Sequence, residues 1–287
     1  MEHKDPGVLY LCATPIGNLE DITLRALRIL KEVDLIAAED TRHTRKLLSH
    51  FDIHTPLTSY HSHSSEGKEA QLIERILQGE RVALVSDAGM PGISDPGADL
   101  VKAVLDKGIE VVPIPGPSAG IAGLVASGLP TGKFVFEGFL SNQRKTRRKQ
   151  LQALKQEQRT MLFYESPHRL ADTLKDMLQE WGERPCTVAR ELTKIHEEFK
   201  RDTLGELAAY YRENPPRGEI TLIVGGLSQA VAEQEQQAQW SELSLTEHVG
   251  SLMEQGIDQK EALKQVAKLR GIPKREVYAA VHGKQEA

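Results

Sequence analysis

Three segments of this sequence place acids and a cation where an apolar run stops. They are Ala38-Glu39-Asp40-Thr41-Arg42, Phe163-Tyr164-Glu165-Ser166-Pro167-His168-Arg169 and Ala189-Arg190-Glu191-Leu192-Thr193-Lys194. A carboxylate at a strand end can position or deprotonate a substrate hydroxyl, and a neighbouring arginine or lysine can stabilise charge. For Asp40 a second reading is open, because an acid also suits the first turn of a helix.

Four Gly/Pro-rich stretches follow apolar strands: Thr14–Leu19, Ser86–Pro91 with its continuation Ser94–Gly97, and Pro115–Ala119. In an open α/β sheet, ligands bind beyond the carboxyl ends of the strands. Glycine lets backbone approach a ligand, and proline fixes a loop without an N–H of its own. Each stretch alone is explained by turn chemistry, but together on one sheet edge they predict a shared crevice. No two glycines are two residues apart, so G-x-G-x-x-G is absent, and the P-loop pattern is absent too. Gly116-Pro117-Ser118-Ala119-Gly120 formally matches the G-x-S-x-G elbow of serine hydrolases, with Asp172 or Glu191 and His196 as conceivable partners. Pro113, Pro115 and Pro117 interrupt the strand that should run into such an elbow. Five of the ten histidines lie between His43 and His63, but their spacing fits no zinc pattern, so they read as polar surface and no metal is expected.

These segments need a scaffold, and the first 115 residues supply alternating strand and helix patterns. Strands are expected at Val8–Thr14, Leu35–Ala38, Leu57–Tyr60, Val82–Ser86 and Glu110–Ile114. Helices are expected at Thr23–Glu32, Thr41–Phe51, Lys68–Gln78 and Ala98–Lys107. The alternation predicts an α/β fold with a mostly parallel sheet covered on both faces. After a small-residue helix at Ser118–Ser127, strands at Lys133–Phe136, Thr160–Tyr164, Thr187–Glu191, Glu198–Arg201 and Ile220–Val224 predict a second, more mixed α/β unit. Helices at Arg144–Gln156, Leu170–Trp181 and Leu204–Arg212 accompany it. The division predicted is an N-terminal α/β domain at 1–116, a second at 117–227, a Gln/Glu-rich tether at 228–241 and a helical domain at 242–287. In the last, helices at Leu245–Glu254, Gln259–Leu269 and Lys274–His282 are either a helix-turn-helix-like unit or a packing cap.

Val111–Gly132 carries no charge over 22 residues, yet four prolines and five glycines make a bilayer helix untenable there. It reads as strand, turn and helix. The polar start Met1–Pro6 does not resemble a signal peptide, and two cysteines fit neither a disulfide scaffold nor a thiolate zinc site. A cytoplasmic chain without membrane association is expected. Net charge is −5, so any polyanion contact must be local. Arg144-Lys145-Thr146-Arg147-Arg148-Lys149 packs five cations into six residues, which is a solvated helix face or a phosphate-binding one.

Taken in order from about Gly7 to Gly226, these loops resemble the tetrapyrrole methylase superfamily. More narrowly, they are similar to its bacterial branch that methylates the ribose 2′-oxygen of a cytidine in 16S ribosomal RNA, in the decoding region of the small subunit. The resemblance implies two α/β domains with a ligand cleft between them, a homodimer, and S-adenosyl-L-methionine as methyl donor. It implies donor contacts at Pro15, Gly17, Asp87, Ala88, Gly89, Pro91, Ser118, Ala119, Tyr164, Leu192 and Thr193. The ribose hydroxyl must lose a proton, so Asp87, Glu39, Asp40 and Glu165 are candidate bases, with Arg42 or Lys194 stabilising charge. Arg144, Lys145, Arg147, Arg148, Lys149, Lys274 and Arg275 are expected to contact RNA phosphates. A small-molecule tetrapyrrole C-methyltransferase is the rival within the superfamily. The basic run and the tail argue against it, and a serine hydrolase using Ser118 ranks behind both.

Overall fold

The computed structural model describes residues 6–60, 66–95, 97–228, 231 and 243–283. The His61-Ser62-His63 part of the histidine cluster and most of the expected tether therefore lie outside the described residues. Two five-stranded sheets carry the larger part of the chain.

The first sheet has the order β3-β2-β4-β1-β5, from Leu57–Ser59, Leu35–Ala38, Val82–Val85, Val8–Cys12 and Glu110–Ile114, and every pairing is parallel. Its apolar runs bury side chains on both faces, as the period of two requires. Ile36 and Ala38 pack with Ala26, Ile29 and Leu30 of α1 (Leu24–Glu32) and with Leu47 and Leu48 of α2 (Thr41–His50). Leu35 and Ala37 point the other way, to Leu72 and Ile76 of α3 (Glu66–Leu77) and to Leu100 and Val104 of α4 (Ala98–Leu105). Pro113 is tolerated within β5 because that strand is the sheet's edge.

The second sheet has the order β6-β7-β10-β8-β9, from Phe134–Phe139, Thr160–Glu165, Ile220–Val224, Pro185–Arg190 and Glu198–Thr203. β6 and β7 are parallel, and the other pairings are antiparallel. One face packs on Leu151 of α6 (Arg144–Ala153), on Leu174, Met177 and Trp181 of α7 (Leu170–Trp181), and on Leu204 and Leu207 of α8 (Leu204–Glu213). The other face receives α5 (Ala119–Ser127), whose Leu124 meets Leu162, Ala189 and Ile223. The small residues of α5 have a packing reason. A Cβ on Gly123 would stand 3.2 Å from both Ile223 and Thr221, so a larger side chain would push the helix off the sheet. β6 outruns its expected end at Phe136 because a bulge at Gly138, φ 63°, carries it to Phe139. The uncharged stretch from Val111 forms β5, a turn and α5, and among the described residues no helix is long and apolar enough to cross a membrane.

Both sheets lie in one compact unit, residues 1–155 and 159–225, and residues 226–287 with 156–158 form another. Among the described residues the second unit contains three helices, α9 (Leu245–Glu254), α10 (Gln259–Arg270) and α11 (Lys274–His282). A capping box between Ser244 and Glu247 opens α9, and Asp258 caps α10. Gly271, in the left-handed conformation at φ 64°, ends α10, and Val249, Leu263, Val266 and Val277 form the core.

Candidate active site

The loops after β1 and β4 are locked together by backbone. Thr14 N donates to Gly89 O at 2.9 Å and Gly89 N to Thr14 O at 3.0 Å, while Thr14 Oγ1 donates to Ser86 O at 3.1 Å. Gly89 sits at φ 81°, a conformation that glycine reaches without strain. Beside this clamp lies a cavity of about 390 Å³, within the roughly 300–1,000 Å³ range of small-ligand sites. Seven of the eleven expected donor contacts line it: Asp87, Ala88, Gly89, Ser118, Ala119, Tyr164 and Leu192. Pro15 and Gly17 line a neighbouring cavity instead, together with Asp87 and Lys194. Pro91 and Thr193 belong to the same loops but line neither cavity.

The wall beyond the expected donor contacts comes partly from segments the sequence already marked. Met90, Ile93, Asp95, Phe139 and the run Gly218–Thr221 also line the first cavity. Asp95 stands in the loop after β4, so its position was available as a signal. Gly218–Thr221 carried none, because the start of β10 reaches this edge only through its antiparallel pairing with β7 and β8. Tyr164 packs edge-on against Phe136, with ring centroids 5.1 Å apart, and receives the Gly120 N–H at its hydroxyl. Burial raises its pKa, so the phenol stays neutral.

The candidate bases separate by their partners. Asp40 caps α2: its Oδ1 accepts Arg42 N at 2.8 Å and Arg42 Nε at 3.1 Å, and its Oδ2 accepts Arg42 Nη2 at 2.8 Å. These bonds hold its carboxyl far below the usual range and commit Arg42 to it. Glu165 is 1% exposed and saturated. Ser166 N donates to Oε1 at 2.7 Å, while Thr173 Oγ1 at 2.6 Å and Arg169 Nη2 at 3.3 Å donate to Oε2. Both carboxylates are thus engaged by structural partners, although Glu165 also lines the first cavity. Glu39 lines neither cavity. Its pKa rises to about 7, first through burial and then through Asp95, which shares a hydrogen bond with it, and Asp87. Asp87 lines both cavities and accepts Asp40 N on Oδ1 at 3.1 Å.

Lys194 Nζ is held by Glu191 Oε1 at 2.8 Å and Glu219 Oε2 at 3.0 Å, so its charge is already paired at the wall of the second cavity. The turn that carries it holds Glu191 at φ 51° and Thr193 at φ 67°, left-handed values that favour glycine. Thr193 Oγ1 is buried without a hydrogen-bond partner, and it adjoins Gly17, where a Cβ would stand 3.0 Å away.

The basic run on α6 is only partly a surface feature. Arg147 is 5% exposed, and its Nε and Nη2 donate to Asp176 Oδ2 at 2.9 and 2.6 Å. A buried guanidinium cannot meet a phosphate, so Arg147 leaves the expected RNA-contact set. Arg144 also pairs with Asp176 and Arg148 with Glu180, while Lys145 and Lys149 are exposed beside them around an open groove. Lys274 and Arg275 are exposed on α11.

Two α/β sheets whose strand-end loops enclose a ligand cavity define a two-lobed α/β enzyme. The chain belongs to the tetrapyrrole (corrin/porphyrin) methylase family, whose sequence profile matches residues 8–208. It is 53% identical over 281 residues, 98% of this chain and 96% of the relative, to a protein of Halalkalibacterium halodurans (strain C-125) named ribosomal RNA small subunit methyltransferase I. It is 50% identical, with the same coverage, to the protein of that name in Bacillus subtilis (strain 168). Among solved structures, a cobalt precorrin-4 methyltransferase matches with a TM-score of 0.59 at 18% identity, covering 76% of this chain and 94% of that one. The uroporphyrin-III C-methyltransferase of Thermus thermophilus, complexed with S-adenosyl homocysteine, matches with a TM-score of 0.54 at 21% identity, covering 76% of this chain and 97% of that one. At these identities the solved structures establish the fold.

Proposed function

We propose that this chain is an S-adenosyl-L-methionine-dependent methyltransferase of 16S ribosomal RNA that methylates the 2′-oxygen of a cytidine ribose, working as a homodimer in the cytoplasm. The observation that carries the reading is a ligand-sized, acid-lined cavity in a chain that matches two ribosomal RNA small subunit methyltransferases I over 98% of its length.

The residues present fit the donor. Its positive sulfonium suits a wall bearing Asp87 and Asp95, and its adenosyl part suits the apolar surfaces of Ile16, Met90, Ile93, Phe139 and Leu192. Ser118 caps α5 without a side-chain hydrogen bond and, with Ala119, lines the cavity. The bound donor supplies an electrophilic methyl group, so the protein need only align the acceptor and take its proton.

Alignment supplies much of the rate when reacting atoms are held in line. Of the four candidate bases, Asp87 alone lines both cavities, so we assign it the ribose proton. Its bond from Asp40 N fixes the carboxylate. Removing a general base costs roughly 10²–10⁴-fold in rate. The exposed cations Lys145, Lys149, Lys274 and Arg275 suit RNA phosphates. For the homodimer, α5 exposes Ile121 (47%) and Val125 (68%) one turn apart, an apolar stripe that a second copy can cover.

The hydrolase reading lacks a base, since among the described residues no histidine lines the cavity that Ser118 faces. The test combines nucleoside mass spectrometry with purified enzyme. Deleting the gene should remove one 2′-O-methylcytidine from 16S RNA. Asp87→Asn should transfer methyl at least about 100-fold more slowly at saturating donor. An unchanged nucleoside profile refutes the function, and full turnover by the variant refutes the base.

A further inference from the structure

The second cavity, about 420 Å³, is lined by Pro15 and Gly17, the neighbours of Ile16 in the first. Thr14, Pro15, Ser86 and Asp87 line it from the strand ends, and α2 lines it with His43, Lys46 and His50. The chemistry of that helix differs from the rest of the surface. Its exposed positions include Arg42, His43, Arg45, Lys46 and His50, and it contains no acid. Asp40 takes the charge of Arg42, but among the described residues no carboxylate bridges Arg45 or Lys46.

A solvated basic helix is common, and its charge alone would assign nothing. Here three of its basic side chains wall a cavity of small-ligand size, and that cavity shares Asp87 with the neighbouring one. Lys194 closes the opposite wall, fixed between Glu191 and Glu219, so this wall is pre-formed. An acid-lined donor-side crevice and a cationic crevice meeting at one carboxylate suit two ligands of opposite charge.

We infer that the second cavity receives the acceptor nucleotide of the RNA, with its neighbouring phosphates on the cations of α2, so that donor and ribose meet at Asp87. This rests on the methyl-transfer reading above and adds the place of the acceptor to it. A single-stranded or splayed nucleotide is the form that enters such a crevice, since sequence-specific RNA recognition targets unstacked residues. Phosphates flanking it run along α2, where each neutralised charge releases counterions and makes binding salt-dependent.

Two variants test it, with small ribosomal subunits from a deletion strain as substrate and calorimetry for the donor. Arg45→Ala/Lys46→Ala removes two exposed cations. It should raise KM for subunits by about tenfold and flatten the dependence of log KM on log salt by roughly 0.7 per lost phosphate contact, while donor affinity holds. Leu19→Trp fills the cavity from a partly exposed wall position and should lower kcat/KM with donor affinity unchanged. If the double variant keeps the wild-type KM and salt slope, the phosphate track is refuted. Full turnover by Leu19→Trp puts the nucleotide elsewhere and overturns the cavity assignment. A wild-type enzyme that methylates no subunit overturns the underlying function, and this inference with it.

Discussion

Arg147→Ala removes two donors, at 2.9 and 2.6 Å, from a carboxylate that has almost no access to water. Asp176 is 1% exposed and Arg147 5%, so the variant strands a charge inside the second sheet's helical layer. Breaking a buried pair from one side costs roughly 3–5 kcal/mol. Arg144 Nε still donates to Asp176 Oδ1 at 3.1 Å, but that guanidinium is largely exposed and screened, which puts the loss near ~3 kcal/mol. For a unit of this size, where 1 kcal/mol moves the midpoint by roughly 2–4 °C, Tm should fall by about 6–12 °C. Lys149→Ala on the same helix should stay within roughly 0.5 kcal/mol of wild type, because its side chain is exposed. Scanning calorimetry at neutral pH reads both, and KM for small subunits read alongside should move for Lys149→Ala. An Arg147→Ala protein melting within about 2 °C of wild type would show that Asp176 is not an uncompensated buried charge, and the reassignment of Arg147 from RNA contact to scaffold would fail.

Three further outcomes follow from the same geometry. Glu39 has a folded pKa of about 7 against an ordinary 4.5, so its contribution to stability is fully present below pH 4.5 and is lost as pH rises to about 7; Glu39→Gln should remove that decline, and parallel stability curves between pH 4.5 and 8 would refute it. Truncation after Gly226 removes the three-helix unit with Lys274 and Arg275, and should leave donor binding intact while weakening methylation of subunits; an undiminished rate excludes a gripping role for the tail. Val125→Asp puts a charge in the exposed apolar stripe of α5 and should shift the protein toward monomer in sedimentation, whereas an unchanged mass moves the dimer contact elsewhere.

Much of the scaffold was legible because it is written in local periods. The apolar runs of β2 and β4 and the helices between them follow from patterns within a dozen residues, and covered parallel strands follow from their order. The loops were legible because Gly and Pro mark them. What escaped depends on pairing at long range. Arg147 looks like every other cation of its run, and only Asp176, 29 positions on, makes it an interior residue. Glu165 looked like a free acid until the Thr173 hydroxyl arrived from the first turn of α7. The part of Gly218–Thr221 in the cavity follows from the reversed direction of β10, which no residue in that segment announces. The basic face of α2 was visible as residues but was read as histidines without a metal, because its meaning lies in the cavity it walls.

The distribution of charge joins the two halves of the reading. A chain of net charge −5 repels a polyanion as a whole, yet at physiological salt a charge is felt over only about 8 Å. Within that range each ligand meets a different surface. A small cation in the first cavity meets Asp87 and Asp95, with Glu39 close to half-protonated near neutral pH and so adding little repulsion among the acids. A phosphate chain approaching the second cavity meets Arg45 and Lys46, with no acid on that helix to oppose it. Asp87 stands at the join, where a carboxylate would repel a phosphate but accept a hydrogen bond from a hydroxyl. That difference selects the ribose edge of a nucleotide over its phosphates for the position facing the donor. It also makes the two arms separable, since cations on α2 can be removed without altering the acids of the first cavity.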